Sequence, residues 1–268
     1  MTEFAIKEIN MFRKTIRMTA ALLAVTALAA SATLTACTEQ PSEPPAEPVE
    51  TLDYQIDMTP YENAVNTTAG AYLKLANKQH PLGREHAPTP LSTLDADLTL
   101  YGKTIQLEST AALAAEALVR ELRARGYNDI AITSGYRTYD YQQGLFNTYL
   151  ANEAAAHPDW TQKQCEEKVL TYSARPGTSE HQTGLCIDLI SQKNVVLDET
   201  FAQNPAYAWL IENAHHFGFI LRYPAEKTAI TGYDYEPWHY RFVGVQAATA
   251  MHKSGATLEE YLDKAMPN

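Results

Sequence analysis

Ser179-Glu180-His181-Gln182-Thr183-Gly184-Leu185-Cys186-Ile187-Asp188 sets an imidazole and a carboxylate seven residues apart, with an apolar, strand-like run leading into the carboxylate. The glycine at 184 permits a turn between them, so a histidine on the approach to a strand and an aspartate on that strand can reach one site. Taken alone, such a pair is more often a surface histidine and a solvated aspartate than a site. Some fifty residues on, Glu236-Pro237-Trp238-His239 adds a second imidazole with a carboxylate three residues before it. Together the two stretches hold the inventory of a hydrolytic zinc centre: three protein ligands, an open position for water and one unligated base. The helix-borne H-E-x-x-H of another metalloprotease class is absent from the sequence.

Outward from these stretches, residues 109–125 carry leucines at 113, 118 and 122 among alanines and stop at Gly126, which predicts a helix. Ile130-Ala131-Ile132-Thr133 then reads as a strand that runs directly into Ser134-Gly135-Tyr136-Arg137. Further helices are expected over residues 139–155, from Pro158 towards Leu170, and over 205–217 ahead of Gly218 and a strand at 219–223. A last helix opens on Thr257-Leu258-Glu259-Glu260, which has the form of a capping box. Strand-like and helix-like segments are interspersed without strict alternation or repeat, which favours an α+β domain over a doubly wound sheet.

The N-terminal part has a different composition. Residues 1–36 carry Lys7, Arg13, Lys14 and Arg17, an apolar stretch over 20–30, and then Leu34-Thr35-Ala36 before Cys37. The apolar run is too short to span a bilayer, so this is the layout of a secretory signal, with Met11 an alternative start. The cysteine after Leu-Thr-Ala resembles the bacterial lipobox, in which that thiol is lipidated and the signal is cut just before it. Residues 37–60 follow with five prolines, six acids and no base, and are expected to form an extended tether. The formal charge of −11 for the chain becomes −7 for residues 61–268, the expected catalytic domain. Nothing in that balance favours nucleic acid, which requires a basic face. The remaining cysteines, Cys165 and Cys186, either pair in an oxidising compartment or leave Cys186 as a small buried residue beside the site.

Residues 179–188 and 236–239 resemble the two signatures of the zinc D-Ala-D-Ala peptidases, a family that includes D,D-carboxypeptidases, D,D-dipeptidases, L,D-carboxypeptidases and, more distantly, the hedgehog signalling domain. The likeness runs roughly from residue 75 to 243 and includes Asn77-Lys78-Gln79-His80-Pro81-Leu82, structural in that family. It implies a small antiparallel sheet flanked by helices, with one Zn2+ held by His181, Asp188 and His239 and with Glu236 as catalytic base. By the same resemblance Arg137 polarises the scissile carbonyl, Gln142 contacts the peptide and Ser179 holds the terminal carboxylate; Trp238 is a candidate to line the groove. One departure from the family pattern is Cys186, where a small residue such as alanine is usual.

The function expected from the resemblance is removal of the terminal D-Ala from peptidoglycan stem peptides by a monomeric enzyme, lipid-anchored through Cys37 outside the bacterial plasma membrane. L,D-carboxypeptidase action on tetrapeptide stems is the alternative, because the motifs barely discriminate the two. Export beside the wall makes a cytoplasmic D-Ala-D-Ala dipeptidase a poorer fit. A catalytically silent wall-binding zinc lipoprotein would have lost its base, yet Glu236 is present; a solute-binding lipoprotein would show two α/β lobes and no such metal set. His215 and His216 close an expected helix, where imidazoles interact with the helix dipole. His80, His86, His157 and His252 lie at no better ligand spacing.

Overall fold

The computed structural model describes residues 52–265 apart from residue 69. Their helices, in chain order, are α1 (Glu62–Val65), α2 (Ser109–Ala124), α3 (Tyr139–Ala156), α4 (Gln162–Tyr172), α5 (Pro205–Asn213), α6 (Thr228–Thr231), α7 (Val245–Ser254) and α8 (Leu258–Ala265). The strands are β1 (Leu91–Thr93), β2 (Gln106–Glu108), β3 (Ile130–Ser134), β4 (Cys186–Ser191), β5 (Phe219–Leu221) and β6 (His239–Phe242). Among the described residues β1 and β2 form a two-stranded antiparallel sheet, and the other four form an antiparallel sheet in the order β3-β4-β6-β5. This is the α+β architecture expected from the sequence. No helix among the described residues is long and apolar enough to cross a membrane.

Every residue of β4 is buried, as befits a strand with neighbours on both sides and helices over it. Its register aligns the chemistry: Asp188 lies opposite Ser134 on β3 and His239 on β6, so one row across the sheet carries all three. A register shift between Ile132 and Ser134 bends the end of β3 just before Arg137. Helix α2 lies over this sheet with Ala111, Ala114, Ala115, Leu118 and Leu122 buried at helical spacing. Leu113, counted with the periodic leucines in the sequence, is instead exposed, because the buried stripe is set mainly by alanines that let the helix approach closely. The helix begins at Glu108, whose carboxylate accepts the N–H groups of Thr110 and Ala111.

Several boundaries differ from the sequence reading. The tether does not extend to residue 60: Leu52, Tyr54, Ile56 and Met58, every second residue, pack against the core. The Gln55 N–H donates to the buried Glu121 carboxylate at 3.0 Å, and the Tyr54 ring meets Phe217 edge-on at 5.5 Å. Acid and proline counts averaged over residues 37–60 concealed this alternation. The signal, Cys37 and the tether up to residue 51 lie outside the described residues. Helix α4 starts at Gln162, not Pro158, because the Thr161 hydroxyl and Gln164 close a capping box there. Helix α5 ends at Asn213 and tightens into a 3-10 turn over Ala214–Phe217, and β5 stops at Leu221. Cys165 and Cys186 are both buried free thiols, so the disulfide considered from the sequence is not formed.

Candidate active site

The row formed by Ser134, Asp188 and His239 is completed from above by the 3-10 turn Glu180–Thr183, which carries His181. That turn is released into β4 by Gly184, whose φ of 68° lies in the left-handed region. A Cβ at this position would stand 2.7 Å from Pro88 Cγ and 3.0 Å from the Glu108 backbone nitrogen, so glycine is required on both counts. The backbone N–H of Arg137 donates to the His181 carbonyl at 3.1 Å, tying the end of β3 to the turn.

The two imidazoles meet edge-to-face with centroids 5.0 Å apart. The His181 Nδ1 lies 2.7 Å from the Gly135 carbonyl, which makes Nδ1 the donor and leaves Nε2 a free lone pair, 3.3 Å from Asp188 Oδ2. The His239 Nδ1 stands 3.1 Å from Asp188 Oδ1 and 3.5 Å from Glu236 Oε2. Asp188 Oδ1 is buried without a hydrogen-bond partner. Each imidazole thus brings one nitrogen to within 3.3 Å of an Asp188 oxygen, with His181 oriented by a backbone carbonyl as metal-binding histidines usually are. This donor set, nitrogen and oxygen with an orphaned carboxylate oxygen, fits a divalent zinc ion.

Cys186 joins the cluster. It shares the β4 face of Asp188 two residues away, and its sulfur and one nitrogen each of His181 and His239 lie within 4.8 Å of one another. Burial opposes the thiolate, yet the imidazoles of His181 and His239 bring the Cys186 thiol down to about 7. Burial raises the Glu236 carboxyl to about 7, with His239 opposing and Asp188 adding to the shift, so Glu236 is poised for proton transfer near neutral pH. Asp188 is held well below the ordinary carboxylate range against the cost of burial by His181, His239 and Arg137.

Arg137 lies at the cavity edge, its Nη2 donating to Asp188 Oδ2 at 2.9 Å and its Nε to Ser134 Oγ at 3.0 Å. Gln142, on the first turn of α3, is anchored by its amide NH2 to the Ala174 carbonyl at 2.9 Å, while its Oε1 is buried without a partner. All eight sequence-derived groups, Arg137, Gln142, Ser179, His181, Asp188, Glu236, Trp238 and His239, line one cavity of about 320 Å³. Its remaining lining residues are Tyr149, Tyr172, Ser173, Ala174, Glu180, Leu197, Tyr223 and Tyr233, to which the sequence assigns no role in the site. Glu180 sits inside the first motif, and the others come from five separate segments that no local motif marks. A larger groove of about 560 Å³ beside Asp129 carries no comparable chemistry, since that carboxylate is already satisfied by Ser191, Lys193 and Asn204.

The discounted histidines stay outside the cavity. His215 and His216 lie in the 3-10 turn after α5, with the His215 ring stacked on His252 at 4.1 Å; His157 stacks on Trp160.

Residues 104–245 match the family model described as VanY, D-alanyl-D-alanine carboxypeptidase. Among curated relatives, YodJ of Bacillus subtilis (strain 168) is 36% identical over 195 residues, covering 72% of this chain and 67% of its own length. A D-alanyl-D-alanine carboxypeptidase of Enterococcus faecalis (strain ATCC 700802 / V583) is 38% identical over 191 residues, 71% of this chain and 65% of that protein. The chain therefore spans about two thirds of the length of these relatives. Among solved structures, VanYB in complex with D-Ala-D-Ala superposes with a TM-score of 0.62 at 36% identity, covering 73% of this chain and 99% of that one. A VanY D,D-pentapeptidase variant from a VanB-type resistance cassette, in complex with Zn(II), gives 0.61 at 36% identity over 72% of this chain and 99% of its own. The LD-carboxypeptidase LdcB gives 0.62, also at 36%, over 72% and 86%.

Proposed function

The chain belongs to the VanY D-alanyl-D-alanine carboxypeptidase family, and from that premise we propose that it is a zinc metallopeptidase removing the terminal D-Ala from peptidoglycan stem peptides. The observation that carries this reading is the convergence of two imidazoles, Asp188 and a Glu236 raised to about 7 on one cavity. His181 through Nε2, His239 through Nδ1 and the Asp188 carboxylate would hold the zinc, an ion found in the related VanY structure. Bound there, zinc supplies Lewis acidity, polarising a carbonyl and making water acidic near neutral pH.

The chain's own groups do the rest. Glu236 accepts the proton of the attacking water and passes it to the departing D-Ala amine. Arg137, always protonated and fixed by Ser134 and Asp188, donates to the oxygen of the scissile carbonyl as its charge grows. The unpaired Gln142 Oε1 accepts a peptide N–H, Ser179 meets the terminal carboxylate, and Trp238 with Tyr149 walls the groove. All of these come from one chain, so a monomer suffices.

The L,D-carboxypeptidase reading has its own support, since LdcB superposes as well as VanYB does. Mass spectrometry of pentapeptide and tetrapeptide stems after incubation with the zinc-loaded protein separates the two. Loss of one residue from the pentapeptide with the tetrapeptide intact is the expected result; the reverse selects the L,D reaction, and no loss from either defeats both. The lipobox at Cys37 supports placement outside the plasma membrane on a lipid anchor, beside wall peptides.

A further inference from the structure

His239 has two ring nitrogens, and Nδ1 is the one beside Asp188, 3.1 Å from its Oδ1. Its Nε2 lies 3.5 Å from Glu180 Oε2, and both atoms are buried without a hydrogen-bond partner. The other oxygen of Glu180 is fully engaged: Arg222 Nε and Arg241 Nη1 each donate to Oε1 at 2.7 Å. Those arginines are held in turn from outside the site. Glu259 accepts from Arg222 at 2.6 and 2.8 Å, and the Tyr72 and Lys74 carbonyls accept from Arg241 at 2.9 and 2.7 Å. The arginine network is therefore made through Oε1, and Oε2 is left over, 3.5 Å from the unpaired Nε2 of His239.

We propose that Glu180 is a positioning residue for the metal centre: it accepts the Nε2–H of His239 and thereby fixes the ring with Nδ1 turned towards Asp188 and the metal. The inference rests on reading His181, Asp188 and His239 as the ligand set. The nitrogen that binds a metal is set by the hydrogen bond made by the other, so His181 is oriented by the Gly135 carbonyl and His239 by Glu180. A cation bound at Nδ1 would make the Nε2–H a stronger donor and would favour a charge-assisted bond to Glu180 across the present 3.5 Å. The Arg222–Arg241 clamp keeps Glu180 ionised although it has no exposure.

The test reads the metal and the ring, not turnover. In the zinc-loaded, detergent-solubilised full chain, long-range proton–nitrogen NMR of His239 is expected to show metal on Nδ1 and a slowly exchanging proton on Nε2. Metal on Nε2, or an Nε2 proton in fast exchange, overturns the proposal without needing any variant to fold. In Glu180→Gln the side-chain oxygen is claimed by the two arginines, so the amide NH2 faces Nε2 and favours the Nδ1–H tautomer, which cannot ligate. Zinc affinity by chelator competition should fall about 10 to 100-fold. Glu259→Gln breaks the same network away from His239 and should lower thermal stability with zinc affinity unchanged. Equal losses of affinity in both variants would make Glu180 a purely structural residue. A wild-type chain that binds no zinc would instead remove the metal reading beneath the proposal, an outcome distinct from these.

Discussion

Glu236 sits where burial and catalysis pull in one direction. Its carboxyl is raised to about 7, so the charged form is disfavoured in the fold. A carboxyl whose folded pKa lies above its unfolded value binds protons more tightly when folded, and stability is lost as pH rises from the unfolded value near 4.5 through about 7. Glu236→Gln removes that liability, and the metal-free variant should melt at a higher temperature than the metal-free wild type above pH 7. Turnover should nevertheless fall by about 10² to 10⁴-fold with zinc retained, because the amide cannot accept the water's proton. A near-normal rate would mean that another carboxylate acts as base. In the loaded wild type the cation draws the Glu236 proton off more easily, so the acid limb of kcat/KM should lie at or below about 7.

Arg137 tests the other half of the reaction. Its fork already spends one arm on Asp188 and another on Ser134, which fixes the guanidinium without closing it off. Lysine keeps the charge but not the planar fork, so Arg137→Lys should slow the chemical step by roughly 10² to 10³-fold. Single-turnover rates decide the matter: a fall in affinity alone would make Arg137 a clamp for the terminal carboxylate and exchange its role with Ser179. The residues named in both sequence motifs do meet in one cavity, because each motif puts its chemistry on or beside a strand whose register the sheet fixes. The sequence assigns Glu180 no role and reads Cys186 only as a disulfide partner or a small buried residue beside the site, for a simple reason. They occupy variable-looking positions inside the motif, and their importance depends on partners, Arg241 and the two imidazoles, that only folding brings near.

At the scale of elements, periodicity located the helices and hydrogen bonding decided their ends. Thr161 and Gln164 shift the start of α4 past Pro158, while the capping box at Thr257 forms where its pattern predicts, with Glu260 accepting from the Thr257 N–H at 2.8 Å. The segment before α1 was misjudged because its signal is alternation over only a few residues inside an acidic, proline-rich stretch. It contributes real stability: four apolar side chains cover the core, and its Gln55 N–H supplies Glu121, a wholly buried carboxylate that among the described residues is otherwise paired with Arg125. A chain beginning at Tyr61 should be less stable than one beginning at Leu52 by roughly 2–4 kcal/mol, from lost apolar cover and an underpaired carboxylate. Thermal melts of the two chains check this; equal midpoints would mean that the segment merely rests on the surface.

At the scale of the whole molecule, the question is how a zinc peptidase domain reaches wall peptides. No helix among the described residues is long and apolar enough to cross a membrane, and the proposed anchor lies outside them. The sequence provides one candidate: basic residues, an apolar run too short to cross a bilayer, and Leu34-Thr35-Ala36 directly before Cys37. A single acyl chain binds membranes only marginally, whereas a multiply acylated cysteine anchors stably. Cys165 and Cys186 are buried within the domain, so the proposed acylation falls to Cys37, the cysteine of the lipobox-like sequence. Cys37→Ser should therefore move the protein from the membrane fraction to the soluble fraction, or leave the precursor unprocessed, while zinc content and peptide cleavage by the solubilised protein stay unchanged. Fractionation with a mass measurement of the N-terminal peptide distinguishes the cases. Firm membrane attachment of the serine variant, with its N-terminus intact, would show the apolar run to be an uncleaved anchor and the lipobox reading to be mistaken.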